Sequence, residues 1–385
     1  MSNLSHLQRI RQELPVVEKK VYFNTGTFGP LPKVGIQAIQ ERLQAELENG
    51  RLGKKAFEGM FEIYVGTRQK VAHFLHAEES EITLTDNTGE GMNIVSYGLN
   101  WQKGDEVITT NHEHISALAP LYQLRDRYGI VIRIADLGTR ADRPAHEAIQ
   151  ELITPQTRLI SLSHVTWTTG AVIDVQAVAK IAHGKNILVL VDGAQSAGAI
   201  EIDVKKLGVD FYAIPMQKWL CGPDGTGALY VSNDALSKIH PTYIGYWSIK
   251  HEEGIEWELN DTAQRFELGG RQTAALCGQR AVLSWMEEVV GYEWMFEHIS
   301  QLNSYAYQAL QQIPGINILT PKAGGSGILS FTIEGKDDKE IVTYLHDQHN
   351  IHIRNIPETH ALRLSTGFYN TEEEVDILIR VLKEM

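Results

Sequence analysis

The stretch LVLVDGAQSAGAIEIDVKKLGVDFYAIPMQKWLCGPDGTGALYV, residues 188–231, decides the fold of this chain. Its apolar runs of strand length are ILVLVD (187–192), DFYAI (210–214) and TGALYVS (226–232). Short apolar runs between turn signals are typical of buried strands. Asp192 ends the first run, and Lys218 follows the second. The stretch therefore predicts neighbouring strands that deliver a carboxylate and an amine to one edge of a sheet.

The same alternation of strand and helix extends on the N-terminal side of this stretch. Further predicted strands are ITLT (82–85), EVITT (106–110), IVIRIADL (130–137) and RLISLS (158–163). Predicted helices are SALAPLYQLRDRYG (116–129), AHEAIQELI (145–153) and VQAVAKIAHG (175–184). Strands that alternate with helices indicate a mostly parallel sheet covered on both faces. The sequence therefore predicts an α/β fold with a large, doubly wound sheet domain.

From about residue 265 the order changes to long helices and a few strands, among them IHIRN (351–355) and ALRLS (361–365). This α+β pattern predicts a smaller second domain. We expect an N-terminal arm helix over residues 1–20 that packs with the small domain, a large domain over 21–264 and a small domain over 265–385.

Composition excludes several classes of protein. The 385 residues are 43% hydrophobic and carry a formal net charge of −13, so no basic surface is available for nucleic acid or anionic membrane. The two cysteines, Cys221 and Cys277, form neither a disulfide framework nor a CxxC motif, which favours a cytoplasmic protein. No run approaches the roughly 18 apolar residues of a membrane helix.

Polar residues collect where the predicted strands end. They are Asp86 to Glu90, Asn111 to His114, His164, Asp192, Gln217 and Lys218. Ligands of open α/β sheets bind at this edge. A lysine that can form a Schiff base and a carboxylate that can keep a pyridine nitrogen protonated are what pyridoxal 5'-phosphate (PLP) requires. His112 and His114 have HxH metal spacing, but no third ligand stands out, and we predict no metal.

The motifs resemble those of the class V aminotransferases of PLP fold type I, a group that includes cysteine desulfurases, carbon-sulfur lyases and isopenicillin N epimerase-like enzymes. The resemblance runs from YFNTGTFGPLP to RLSTGFYNTEEEVD, and its most specific part is DGAQ followed by QKWLCGPDGTG. It implies that Lys218 is the catalytic lysine that carries PLP and that Asp192 pairs with the ring nitrogen. It also implies a homodimer with the site at the interface and an α-amino acid as substrate.

Further roles follow from the same resemblance. Gln195 is assigned to the phenolic oxygen of the cofactor, and His114 is assigned to the face of its ring. Thr88 and Gly89 open a helix whose N-terminus can hold the phosphate, although a simple N-cap role for Thr88 is the alternative. His164 is placed near the cofactor, with a structural histidine as the alternative.

Substrate contacts are assigned to three residues, Arg363, Trp167 and Asn24. Arg363 in ALRLS resembles the arginine that binds the substrate carboxylate. Its neighbours in the strand are leucines, so we expect its side chain to point away from the core. Trp167 stands where desulfurases have an Asn and is similar to the cystine carbon-sulfur lyases.

The sequence departs from the desulfurases around the phosphate. Their Ser-Gly-His before the lysine is replaced by Pro215, Met216 and Gln217, and we assign Gln217 to the cofactor. The Gly-Thr that reaches the phosphate of the neighbouring subunit is Gly269-Gly270 here. We assign the possible cross-subunit phosphate contact to Gly270 and Arg271, with Thr273 as an alternative.

The loop ahead of Arg363, RNIPETHAL (354–362), has no cysteine, whereas persulfide-forming desulfurases carry one there. This absence favours a lyase that removes sulfur by β-elimination. An aminotransferase and an epimerase stay open, because one PLP carbanion serves all three. A non-catalytic member is disfavoured by intact Asp192, Gln195 and Lys218. A dinucleotide-binding oxidoreductase lacks its GxGxxG.

Overall fold

The computed structural model describes residues 5–385, so the first four residues of the predicted N-terminal arm lie outside it. The helices are α1 (His6–Gln12), α2 (Lys33–Asn49), α3 (Lys54–Leu75), α4 (Thr88–Gly98), α5 (Ile115–Tyr128), α6 (Ala145–Gln150), α7 (Val175–His183), α8 (Val204–Leu207), α9 (Thr273–Trp285), α10 (Tyr292–Gln311), α11 (Asp338–His349) and α12 (Glu372–Glu384). The strands are β1 (Val21–Tyr22), β2 (Ile82–Thr85), β3 (Glu106–Thr110), β4 (Val131–Ala135), β5 (Thr157–Ser163), β6 (Leu188–Asp192), β7 (Phe211–Pro215), β8 (Gly227–Val231), β9 (Ile249–Glu253), β10 (Glu256–Leu259), β11 (Ile316–Ile318), β12 (Ile328–Ile333), β13 (Ile351–His352), β14 (Arg354–Ile356) and β15 (Ala361–Ser365).

A seven-stranded sheet in the order β2-β8-β7-β6-β5-β3-β4 forms the centre of the molecule. β8 runs antiparallel to both of its neighbours, and the other pairs are parallel. The predicted α/β fold with a mostly parallel sheet is therefore confirmed. β4 ends at Ala135, two residues before the predicted end, because the Asp136 carboxylate accepts a hydrogen bond from Gly138 N at 2.9 Å and turns the chain.

The central strands are buried on both faces, which explains their continuous apolar runs. In β6, Val189 and Val191 join one hydrophobic core, whereas Leu188 and Leu190 join the other. The second core also contains apolar side chains of α4 and α5. Because side chains alternate along a strand, Asp192 follows Leu190 onto the side of the sheet that α4 and α5 cover.

The C-terminal part has its own antiparallel sheet in the order β11-β12-β15-β14 and its own hydrophobic core. The prediction of a single strand over residues 351–355 is wrong. β13 pairs with β1, and β14 pairs with β15, because the chain passes between two sheets at Ile353.

Helix α1 contacts the C-terminal part of the chain. Arg11 Nη1 lies 2.9 Å from Glu374 Oε1 of α12, and His6 Nε2 lies 2.9 Å from the carbonyl oxygen of Val290.

The domain limits at residues 20/21 and 264/265 stay predictions. Within residues 5–385, no helix has the length and apolar character needed to cross a membrane.

Candidate active site

Asp192 and Lys218 share one end of the central sheet. Asp192 ends β6 and is buried, with its Oδ1 accepting a hydrogen bond from Ala194 N at 2.8 Å. Burial raises the pKa of Asp192, and the nearby charge of Lys218 opposes that rise. A cationic partner would stabilise the ionised form of this buried carboxylate, and a protonated ring nitrogen would supply such a partner.

Lys218 follows β7 and has no ion-pair partner among residues 5–385. The region around Lys218, Asp192 and Arg363 is called the cleft below. Burial lowers the pKa of Lys218 to about 8; Asp192 opposes the change, and Arg363 and Arg354 add to it. A larger share of this amine is therefore neutral near physiological pH than for an ordinary lysine. A neutral amine is the form that attacks an aldehyde or accepts a proton.

The turn that carries Lys218 packs directly against the N-terminal segment at Gly29. Gly29 N donates a hydrogen bond to the carbonyl oxygen of Gln217 at 2.7 Å. A Cβ atom at Gly29 would lie 2.1 Å from the carbonyl oxygen of Lys218 and 2.7 Å from Cys221 Sγ. Only glycine permits this approach, which brings residues 24–29 to the cleft.

Gln195 links three parts of the chain. Its Nε2 donates to the carbonyl oxygen of Gly26, and its Oε1 accepts from Trp219 Nε1, both at 2.9 Å. These bonds fix the orientation of the amide and leave its second N–H without a partner in the described chain. That N–H is the group that fits the predicted contact with a phenolic oxygen.

His114 and Trp167 form an aromatic corner of the cleft. His114 caps helix α5, and Trp167 meets its imidazole edge-on, with ring centroids 5.2 Å apart. Burial lowers the pKa of His114, and the charge of Lys218 adds to this effect. A neutral, flat imidazole results, which fits stacking on a pyridine ring. The indole Nε1 of Trp167 is buried without a hydrogen-bond partner in the described chain.

The N-terminus of α4 fits a phosphate. Asn87, and not Thr88, is the N-cap, because the Asn87 side chain accepts from Glu90 N at 3.0 Å. This finding excludes the simple capping role for Thr88. The hydroxyl of Thr88 is buried and has no hydrogen-bond partner in residues 5–385, and the same holds for Oε1 of Gln217. A bound ligand would satisfy such groups, and a helix N-terminus favours an anion.

Arg363 is buried and has no carboxylate partner within residues 5–385. Its neighbours Leu362 and Leu364 join the C-terminal core, whereas its own side chain points the other way, as the alternation predicts. The side chain is 0% exposed, and it donates to the carbonyl oxygen of Trp167 at 3.1 Å and to Thr27 Oγ1 at 3.2 Å. Its Nε has no partner in the described chain. Burial lowers the pKa of Arg363 to about 9.

Two residues near Arg363 are absent from the sequence-based assignment. Arg354 lies 5.8 Å above the Trp167 ring, and its Nη1 donates to Thr27 Oγ1 at 3.4 Å. Thr27 in turn donates to Asn24 Oδ1 at 2.7 Å, so Asn24 reaches Arg363 through Thr27. Arg354 and Arg363 are register partners in β14 and β15, a pairing that the spacing of an ordinary hairpin could have indicated.

The other two histidines at this end of the sheet, His112 and His164, have protein partners. His164 is buried, and its Nδ1 lies 2.7 Å from the hydroxyl of Tyr212. Burial lowers the pKa of His164 to about 4, which keeps the ring neutral. Both ring nitrogens of His112 lie 2.7 Å from oxygens, those of Thr168 and Gly138. No group of three or more metal-binding side chains occurs within the described chain.

Gly270 and Arg271 lie beside the N-terminus of α4. Gly270 N donates to the hydroxyl of Tyr246 at 2.6 Å. Arg271 forms ion pairs with Asp86 and Glu90 of its own chain, on either side of Thr88. Its side chain therefore already has carboxylate partners within the protomer.

Comparisons with known proteins show the family to which the chain is similar. The family model for aminotransferase class-V matches residues 21–378. A probable cysteine desulfurase of Methanothermobacter thermautotrophicus is 31% identical, over 98% of this chain and 97% of that protein.

Two solved proteins have the same fold over nearly their full length. The cystine C-S lyase C-DES, solved with its reaction product cysteine persulfide, superposes with a TM-score of 0.92 at 31% identity and covers 97% of this chain and 99% of that one. A cysteine desulfurase from Thermococcus onnurineus NA1 gives a TM-score of 0.90 at 26% identity, over 100% and 99% of the two chains. The chain therefore belongs to the class V aminotransferase family of PLP-dependent enzymes, as its motifs predict.

Proposed function

We propose that this chain is a carbon-sulfur lyase that uses PLP to remove a sulfur group from Cβ of a cysteine- or cystine-like amino acid. The observation that carries the proposal is the wholly buried guanidinium of Arg363, which has no carboxylate partner in the described chain. It lies close enough to Lys218 to lower the pKa of that amine. An amine, a carboxylate and an anion-binding cation in one cleft suit an α-amino acid on PLP.

Six residues of the cleft have a defined task in this proposal. When bound, PLP withdraws electrons from the α-carbon of the substrate. Asp192 keeps the ring nitrogen protonated, His114 covers the ring face, and Thr88 with Gly89 holds the phosphate. Arg363 binds the substrate carboxylate, and Lys218 accepts the α-proton. Departure of a thiol or persulfide breaks the Cβ–S bond, and water then releases pyruvate and ammonia.

The cysteines support elimination rather than transfer of sulfur to the protein. The segment ahead of Arg363 is a tight hairpin, β14 to β15, without a cysteine. Cys221 is fully buried, and burial raises its thiol pKa, which disfavours the reactive thiolate. Cys277 lies on α9, and burial also raises its pKa. C-DES, which has the same fold, is a cystine C-S lyase.

The function is tested by the products formed from cystine and cysteine. We expect pyruvate, ammonia and sulfide from cysteine, and pyruvate, ammonia and a persulfide from cystine. The double variant Cys221→Ser, Cys277→Ser should be active within about threefold of the wild type because neither thiol takes part. Mass spectrometry during turnover checks the protein itself. A gain of one sulfur on either thiol, with loss of sulfur release in the double variant, would favour a desulfurase. Oxo-acid exchange without pyruvate would favour an aminotransferase, and inversion at Cα alone would favour an epimerase.

Arg354 supports a substrate with two carboxylates, such as cystine. The two guanidinium groups share the hydroxyl of Thr27, and neither has a carboxylate partner within residues 5–385. Like charges so close are unfavourable unless anions offset them. One carboxylate on Arg363 and a second on Arg354 would balance both.

Replacing Arg363 with alanine should raise KM for amino acids about 10- to 100-fold, the effect of losing a charged hydrogen-bonded partner. The visible spectrum of the bound cofactor should stay unchanged. Arg354→Ala should raise KM for cystine more than for cysteine. Arg158→Ala, which removes an arginine paired with Asp105, is the matched control with unchanged KM. A changed spectrum with normal KM in Arg363→Ala would reassign this arginine to the cofactor or the fold.

We also propose that the protein is a homodimer. An apolar face lies next to Gly270, and its side chains are between 48% and 74% exposed. They are Phe57, Phe61, Tyr243, Tyr246 and Leu268. Exposed apolar patches of this kind usually form protein interfaces. A second copy on this face would border the α4 end of the cleft, because Tyr246 bonds to Gly270 and Arg271 bonds to Glu90.

A further inference from the structure

Glu113 is a buried carboxyl group for which the proposed mechanism has no task. It lies after β3, immediately before His114, and is 8% exposed. Thr110 Oγ1 donates to its Oε1 at 2.5 Å, and Ser163 Oγ donates to its Oε2 at 2.6 Å. It has no cationic partner within the described chain. Two neutral hydroxyl groups offset the burial of a carboxylate only in part.

The second hydroxyl connects Glu113 to the site. Ser163 is the register partner of Asp192 between β5 and β6. The side chain of Glu113 therefore joins the end of β3, which carries His114, to the strand beside Asp192. Two buried carboxyl groups, Glu113 and Asp192, lie at this end of the sheet, and the titratable side chains around them are His112, His114, His164, Tyr212 and Lys218.

Like charge and burial act on Glu113 in the same direction. Burial raises the pKa of Glu113 to about 7; the Ser163 and Thr110 hydrogen bonds oppose the rise, and Asp192 adds to it. The group is therefore neutral in mild acid and ionised in mild alkali. Ionisation of Glu113 therefore adds one buried negative charge to the site as pH rises through this range.

We propose that Glu113 is a positioning residue whose proton state sets the charge around Asp192. This charge in turn sets the pH range in which the site holds a protonated cofactor. The inference rests on the proposed function. A second negative charge stabilises protonated nitrogen nearby. Glu113 thus changes the charge of the site with pH through its position beside Asp192 and His114.

The test is a pH titration of the visible absorption of the cofactor-loaded enzyme. Glu113→Gln keeps the shape and can still bond both hydroxyls, but it removes the charge. We expect the pH at the midpoint of the absorption change, the spectral midpoint, to fall by about 0.5 to 1 pH unit in this variant. This is the size expected for one charge at several ångströms in a partly screened site. Glu106→Gln is the matched control, because Glu106 is a buried carboxylate at the other end of β3, paired with Arg133. Its midpoint should not move.

A second variant guards against misfolding of the first. Ser163→Ala removes one donor, so Glu113 should stay neutral to a higher pH and the spectral midpoint should fall by less than in Glu113→Gln. In the double variant, Ser163→Ala should add no further fall, because the charge is already gone. A folded Glu113→Gln enzyme with an unchanged midpoint overturns the inference, even if cofactor affinity drops.

Stability gives an independent readout. The folded pKa of Glu113 lies above its ordinary value of 4.5, so the folded state binds more protons than the unfolded state between pH 4.5 and about 7. Stability from this group is therefore lost as pH rises through that range. The Glu113→Gln enzyme should lack that loss in denaturation series, and an identical pH profile in both enzymes would also contradict the inference. Absence of any visible band in the wild type would instead refute the proposed function.

Discussion

Lys218→Ala should abolish the visible absorption of bound PLP and lower turnover at least about 10³-fold, because both tasks of the amine disappear together. Burial lowers the pKa of Lys218 to about 8, and the amine has no ion-pair partner in residues 5–385. The nearest lysines in the sequence are held elsewhere, Lys205 by Glu81 and Lys206 by Asp203. Neither is free to take over the linkage.

Borohydride reduction followed by peptide mapping checks this assignment directly. The pyridoxyl group should be on Lys218 in the wild type and on no lysine in the variant. Lys206→Ala, a change at an exposed lysine, is the control and should keep both the visible band and full turnover. A pyridoxyl group on Lys205 or Lys206 would refute the whole site, Asp192 included. A variant that retains the band would do the same.

The core of the site could be predicted because it depends on local sequence and on one rule of sheet topology. β6 and β7 are short apolar runs, and the carboxyl ends of parallel strands meet at one edge. Asp192 and Lys218 follow from these two facts. The orientation of Arg363 follows in the same way from the leucines on either side of it.

The rest depends on contacts between segments that are far apart in sequence. Thr27 joins Arg363 across 336 positions. Glu113 and Ser163 are separated by 50 positions, and no local pattern indicates that their strands are neighbours in the sheet. The split between β13 and β14 has the same origin, because pairing with β1 competes with pairing to β15. Tertiary packing overrode a strand pattern that was locally continuous.

Helix capping gives a smaller example of the same limit. The sequence leaves a capping role for Thr88 as an alternative, and Asn87, the residue before it, is at least as good a capping residue. The structure places Asn87 at the cap and leaves the Thr88 hydroxyl buried without a partner in the described chain. That one-residue difference removes the structural alternative for Thr88 and leaves its predicted contact with phosphate.

Asp192→Asn should retain PLP weakly and lose about 10²- to 10³-fold in turnover, the usual cost of removing one preorganised charge. An amide cannot keep the ring nitrogen protonated, so proton removal at Cα loses its driving force. Asp210→Asn is the matched control, since Asp210 is equally buried but bonds to His183 and Val189 N. It should lower stability and leave the spectrum unchanged. The decisive measurement is the exchange of the substrate α-proton with deuterium in both variants. Full exchange in Asp192→Asn would make this carboxylate a structural residue, whereas its loss there and retention in Asp210→Asn would tie the chemistry to the end of β6.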